Sequence, residues 1–365
     1  MKLIKLPSKV SLLATVLCCN LVNADTMKTS SHQSNNFLNL DVDFKASYLY
    51  WGVQEDQLAF AVEGLSLFQP ATASGFGFER ISLFDVEPNS PSPIATVVTH
   101  DPQWDSGLRL ECGIHSSCYP IGCYFSWTNF QTKSHASAQN DASEFPSVGI
   151  TTISAFSNDG GPFLLSQGAS SSWDININEY TLDFDYRVLL TSCFSFCPYV
   201  GVMGATINQK QNIEYFEVPF NAEIIDLAIS RNHDFSGVGP RIGVGFDWKF
   251  WRKLSLIGNI NTAYLVGRFD TKNEIFAPID LASGFLNINE KNVRGRAMAG
   301  GLIGLEWESQ INKCFGFSIS VSYEYQYWWQ QWHSSSNMLS TIITGESLWG
   351  DLSIHGLVTS VGISF

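Results

Sequence analysis

Eleven charged residues are spaced so that they fall on faces shared with small or polar neighbours: Arg109 and Glu111; Asp183, Asp185 and Arg187; Arg241 and Asp247; Arg294, Arg296 and Glu306; and Glu324. Two-residue spacing puts side chains on one side of a strand. Opposed basic and acidic groups on the inside of a closed sheet can act in two ways. They set the field in a polar passage, and with it an ion preference, or they neutralise one another across a filled interior, as in the smallest barrels. Enzymatic chemistry finds less support. Ser353 and His355 share a face of the last segment, the one pair that suggests a lipid-cleaving nucleophile and base. A His at a membrane interface is the simpler account, and no enzyme is expected. Gly237-Val238-Gly239-Pro240-Arg241-Ile242-Gly243 has the look of a dinucleotide loop, but such a loop follows a strand and opens a helix. Here it begins a strand and carries a proline, so its glycines more simply allow bending and close packing. No cofactor and no metal are expected, because no cysteine pair has zinc-knuckle spacing and the histidines are scattered.

The elements that would carry these charges are strands. In 179–190, Tyr180, Leu182, Phe184, Tyr186, Val188 and Leu190 alternate with Glu179, Thr181, Asp183, Asp185 and Arg187. In 317–327, Phe317, Ile319, Val321, Tyr323, Tyr325 and Tyr327 alternate with serines, Glu324 and Gln326. Reading on in this way predicts ten strands: 38–53, 104–115, 121–133, 173–190, 197–212, 235–250, 254–269, 293–309, 315–331 and 351–365. Short connections alternate strictly with long ones at about 54–103, 134–172, 213–234, 270–292 and 332–350, the layout of short periplasmic turns and long external loops. One further hairpin within 54–103 would make twelve strands. The final strand ends on Phe365, as a barrel-closing terminus would. Trp51, Tyr327, Trp328, Trp329 and Trp332 are expected at the membrane interface, where amphipathic rings settle.

Composition agrees with that architecture. Lys2, Lys5 and Lys9 precede an apolar core, 10–22, and Val22-Asn23-Ala24 offers a cleavage site, so residues 1–24 read as a signal peptide and 25–365 as the barrel. The formal charge of −13 becomes −16 without the three leader lysines, which argues against a nucleic-acid partner. Charged residues are 15% and aromatics 13%, and after the leader no apolar run is long enough for a spanning helix. The expected fold is all-β, a transmembrane antiparallel up-and-down barrel of 10–12 strands. A secreted β domain that binds sugar remains the alternative on composition alone.

The chain resembles the Legionella-type major outer membrane protein family, which includes porin-like proteins of chlamydia-related bacteria. The matching stretches run in order from residue 48 to the end. They include Tyr48-Leu49-Tyr50-Trp51, Trp104-Asp105-Ser106-Gly107, Ser126-Trp127-Thr128, Leu182-Asp183-Phe184-Asp185, Pro198-Tyr199-Val200-Gly201 and Phe235-Ser236-Gly237-Val238-Gly239-Pro240-Arg241-Ile242-Gly243. Gly267-Arg268-Phe269-Asp270, Tyr323-Glu324-Tyr325-Gln326-Tyr327-Trp328-Trp329 and Leu352-Ser353-Ile354-His355-Gly356-Leu357 complete the set. The resemblance implies an outer-membrane barrel of a Gram-negative bacterium that passes ions and small hydrophilic solutes, a porin; the alternative is a narrow or closed barrel whose loops bind surfaces, proteins or carbohydrate. Expected partners are outer-membrane lipid, the barrel-assembly machinery through the last strand, and further copies of the chain. Cys112, Cys118, Cys123, Cys193, Cys197 and Cys314 are disulfide candidates, five of them in or beside short turns. They suit either local bridges or links to other envelope proteins, and spacing does not choose between these.

Overall fold

The computed structural model describes residues 40–56, 58–63, 96–101, 103–116, 119–139, 148–150, 165–220, 223–276, 286–312, 315–333 and 349–365. The stretch 1–24, expected as a signal peptide, together with Cys118 and Cys314, lies outside the described residues. Ten long strands follow one another: β1 (Leu40–Glu55), β2 (Gln103–Ser116), β3 (Ile121–Gln139), β4 (Gly168–Tyr186), β5 (Phe194–Phe220), β6 (Glu223–Trp251), β7 (Leu254–Phe276), β8 (Leu286–Asn312), β9 (Phe315–His333) and β10 (Trp349–Ser364). Each pairs antiparallel with its sequence neighbour, and β10 returns to β1 in a register running from Asp43↔Ser364 to Glu55↔Leu352. Backbone bonds of 3.2 and 3.0 Å between Val42 and Phe365 finish the seam. The sheet therefore closes on itself and leaves no edge to template aggregation.

The extra hairpin does not enter the wall. Ala61–Glu63, Thr96–Val98, Val148–Ile150 and Leu165–Ser166 pair in a separate small sheet. The segment 173–190, read as one strand, breaks at Arg187, and Val188–Thr191 folds onto the start of β5. The larger difference is length. β5 and β6 continue past their predicted ends and stay paired through Asn212↔Ser230 and Glu214↔Ala228, so most of the loop expected at 213–234 is β-ribbon. β7 and β8 do the same across most of 270–292.

The strands run on because their alternation changes sides rather than ending. On β4 the outward face reads Ser170, Ser172, Asp174, Asn176, Asn178 and then Tyr180, Leu182, Phe184, Tyr186. The inward face reads Trp173, Ile175, Ile177 and then Glu179, Thr181, Asp183, Asp185. One stretch is apolar outside and polar inside, as lipid demands; the other is polar outside and apolar inside, as water demands. β5 inverts near Gly204, β6 near Ser236 and β7 near Val266, all on one side of the barrel. Beyond that line, Thr206 to Phe220 of β5 adds roughly 45 Å of strand, at about 3.3 Å per residue. The wall is thus a membrane-spanning barrel continued upward as a water-exposed collar.

Candidate functional site: the barrel interior

The lower interior is polar. Arg109 on β2 reaches across the lumen to Glu324 on β9, donating two hydrogen bonds of 2.9 Å to its two carboxylate oxygens, and a third to Thr128 at 2.9 Å. Gln326 donates to Glu324 at 3.1 Å and to Glu179 on β4 at 3.4 Å, and itself accepts from the Trp328 indole at 3.4 Å. Arg241 on β6 pairs with Asp183 on β4 and lies 5.2 Å from the Tyr199 ring, whose hydroxyl donates to Asn259 at 2.9 Å. Charges this enclosed need partners, since breaking a buried pair leaves an uncompensated ion. Towards the short-turn end come Lys45 with Glu306 at 3.8 Å, Lys249 with Glu308 at 3.0 Å, and His115 with Asp43 at 2.9 Å. Glu111, Asp185 and Asp247 face inward in this half-exposed region, and Arg187 sits exposed at the strand break on the rim.

The upper interior holds a large apolar cluster beside buried polar side chains such as Gln209, Gln211, Arg231 and His233. Side chains from nine of the ten strands meet there, among them Leu49, Trp51, Phe130, Trp173, Ile175, Ile177, Ile207, Leu265, Trp328, Trp332, Leu352 and Ile354, none more than 2% exposed. Residues lining a water column are accessible to water, and these are not. The lumen is filled at this height. Three expected interface aromatics are therefore corrected. Trp51 shares parity with the inward Ser47 and Leu49, packs 5.5 Å from the Phe130 ring, and has the Arg109 guanidinium 5.5 Å from its own. Trp328 follows Glu324 and Gln326 inward, and Trp332 stacks 4.1 Å from His233 beyond a bulge at Gln330 (φ 54°). Tyr327 and Trp329 do face outward, with Tyr50, Trp104 and Tyr325. Arg296 also departs from a water-lined setting: it is 5% exposed, its guanidinium 4.5 Å from the Phe269 ring. Arg294 faces inward beside it, 3.8 Å from Glu290.

Sequence reasoning passed over the cap on this plug. The chain leaving β1 folds into the outer mouth, where Phe60 and Ala61 join a second apolar cluster with Ile213, Tyr215, Leu227 and Ile229. Wall side chains hold its backbone: Gln211 donates to the Leu58 carbonyl at 3.1 Å and Tyr215 to the Phe60 carbonyl at 2.5 Å. His100, 7% exposed, is pinned between Ser134 of β3 at 2.5 Å and Ser171 of β4 at 2.8 Å, with Phe60 and Trp173 about its ring. Burial, with a smaller push from the charge of His135, brings its pKa down to about 4 against an opposing pull from Asp101. Nothing in the spacing of a lone His points to this role, whereas Glu179 and Gln326 are available from their parity with Asp183 and Glu324.

No bridge joins any two of Cys112, Cys123, Cys193 and Cys197. Cys193 stays in its turn, 3.5 Å from the Thr191 hydroxyl, while β5 carries Cys197 to the lumen face, so of the two arrangements left open the local Cys193–Cys197 bridge is not formed. Ser353 gives its hydroxyl to the Gln54 carbonyl at 3.4 Å rather than to His355, whose ring meets Trp104 edge-on at 5.3 Å.

Among solved structures, the chain is similar to the outer membrane protease OmpT of Escherichia coli, with 8% identity, 93% of this chain and 99% of that one covered, and a TM-score of 0.38. A Pseudomonas aeruginosa FadL homologue shares 8% identity over 89% of this chain and 90% of its own at 0.28. The Pseudomonas putida toluene transporter TodX shares 8% over 89% of each chain at 0.27. No curated protein matches. The family described as Legionella pneumophila major outer membrane protein precursor matches residues 38–365, the whole barrel. With the closed ten-strand wall and its lipid-facing belt, that match places the chain in this family and in the outer membrane of a Gram-negative bacterium.

Proposed function

We propose that the protein is an outer-membrane channel for ions and small hydrophilic solutes that rests closed. Solutes cross by diffusion, without turnover. The polar lumen up to Glu179, Glu324 and Gln326 forms its inner half, and the apolar plug with its cap at 58–61 and His100 forms the barrier. The observation that carries this reading is the cap. It is chain folded in from a connection and tied to the wall by side-chain hydrogen bonds, so it can leave without unfolding a strand of the wall. Discrete, infrequent conductance steps from the refolded chain in a planar bilayer, made more frequent by Tyr215→Phe with Gln211→Ala, are the expected result. A folded barrel that stays silent with the cap bonds removed would refute it.

A second reading, a closed barrel whose loops mediate adhesion, is favoured by one observation. Trp51, Trp173, Trp328 and Trp332 belong to the wall itself, and removing the cap does not remove them. Silence of the variant above, together with retained heat-dependent gel mobility, is the outcome that selects it.

A further inference from the structure

The outer wall just above the inversion line carries a charge pattern at odds with the rest of the molecule. Cross-strand register aligns the first three rows of the collar on β3 to β8: the rows of Asn178 and Arg268, of Asn176 and Asp270, and of Asp174 and Lys272. In these rows Lys133, Lys210, Arg268, Lys272 and Lys291 face three carboxylates, Asp174, Asp234 and Asp270, whereas the chain as a whole stands at −13. The remaining arc at this height, on β9, β10, β1 and β2, presents Tyr325, Tyr327, His355 and Trp104 instead. The basic excess is confined to the tall side of the barrel.

Within it, one group is prepositioned. Oδ2 of Asp270 holds the Arg268 guanidinium at 3.6 Å and the Lys291 ammonium at 3.3 Å, one from its own strand and one from β8. Both cations remain more than half exposed, at 60% and 57%, so most of their donors point away from Asp270. Lys272 stands exposed two residues further up the same face. Immediately below on β7, Tyr264 and Val266 are 55% and 52% exposed, on the belt that meets acyl chains, while Val293 of β8, 74% exposed, stands level with Arg268. Cations fixed one to three residues above lipid-facing side chains lie at the depth of headgroup phosphates. A neutral or zwitterionic headgroup would not need them, and a soluble anion would not need the apolar floor.

We propose that this face of β7 and β8 seats the phosphorylated sugar headgroup of the outer-leaflet glycolipid, lipid A. Arg268 and Lys291 grip one phosphate with Asp270 as the spacer between them, and Lys272 reaches the sugar or a second phosphate above. The acyl chains lie along Tyr264 and Val266 below. The inference is independent of whether the lumen conducts.

The test uses the refolded full chain in detergent micelles, titrated with bisphosphorylated lipid A and with its dephosphorylated form, and read by native mass spectrometry at two salt concentrations. Wild type is expected to retain bisphosphorylated lipid A at least tenfold more strongly than the dephosphorylated lipid, with the difference shrinking in high salt. Arg268→Gln with Lys272→Gln and Lys291→Gln should abolish that preference. Lys45→Gln with Lys249→Gln, at the opposite end of the barrel, should leave it intact, and heat-dependent mobility controls for folding in each case. Equal binding of the two lipids by wild type, or a preference that survives the triple variant, would overturn the site. Asp270→Asn offers a finer check: releasing the two cations from their spacer should weaken the preference without abolishing it.

Discussion

Protonation of His100 should loosen the cap, and the size of the effect follows from its surroundings. Both ring nitrogens are occupied by serine hydroxyls, the ring is enclosed, and its pKa falls from an ordinary 6.5 to about 4. The groups acting on it are His135 on β3, which lowers the value further, and Asp101, which raises it; Phe60, Trp173 and the two serines bring no charge. A docked ring with depressed pKa stays neutral when a released ring would bind a proton, so falling pH favours release. The docked state keeps its full advantage above about pH 7, loses it steadily below 6.5, and has lost about 3 kcal/mol by pH 4, at about 1.4 kcal/mol per unit. At pH 5 the loss is about 2 kcal/mol, roughly a 30-fold shift towards the undocked segment. Histidine-ring NMR of the refolded chain, with the resonance assigned by its disappearance in His100→Gln, measures this directly. The midpoint is expected below 5. Titration near 6.5 would refute the enclosed, doubly bonded geometry. If the channel reading also holds, opening frequency should rise between pH 7 and 5 in wild type and stay flat in His100→Gln, whose amide can still bond both serines but takes no proton.

Two further substitutions probe the wall. Glu324→Gln strands the Arg109 guanidinium in a place where both partners are about one-tenth exposed, and should cost about 3–5 kcal/mol. Removing both charges with Arg109→Met and Glu324→Met should cost less than the single change, as read from urea unfolding in micelles; equal costs would mean that the pair carries no buried charge penalty. Gly239→Ala points a methyl at the backbone of β7, into the Tyr264 carbonyl and within 2.8 Å of the Leu265 Cα, and should cost about 1–3 kcal/mol through wall displacement. Gly204→Ala, whose nearest neighbour would be 3.8 Å away, should be close to neutral, and a reversal of that order would refute the close β6–β7 approach at Gly239.

The wall was readable in the sequence because period-two alternation survives every environment a strand passes through. All ten strands lie where the alternation put them, and the all-β antiparallel barrel follows from them. What alternation does not carry is a label for which solvent each face meets. Trp51 and Trp328 looked like interface residues because aromatic clusters at strand ends usually are; only their parity with Ser47 and Glu324 separates them from Tyr50 and Trp329. The collar was missed for the same reason. Within 213–234 the outer face carries Glu214, Ser230, Asn232 and Asp234, and a search for lipid-facing residues stops where lipid stops.

That boundary has a consequence for the interior. A strand in lipid buries its outer face at no cost to its interior, so polar pairs such as Arg109 and Glu324 can occupy the lumen provided they satisfy one another. A strand in water has the opposite need, since its only route to hydrophobic burial is inward. With ten strands the inward faces are close enough to meet, and Trp173, Ile207, Leu265 and Trp332 do meet. On β4 to β7 the line that ends the lipid belt on the outside is therefore the line that begins the plug on the inside. Lengthening the strands above the membrane and keeping a permanently open pore are incompatible at this barrel width. Either the cap and plug move together to admit solute, or the collar's service is rendered entirely on its outer surface. Trp328→Ala separates these: a cavity in the plug adds conductance in the first case and only lowers stability, by about 3–5 kcal/mol, in the second.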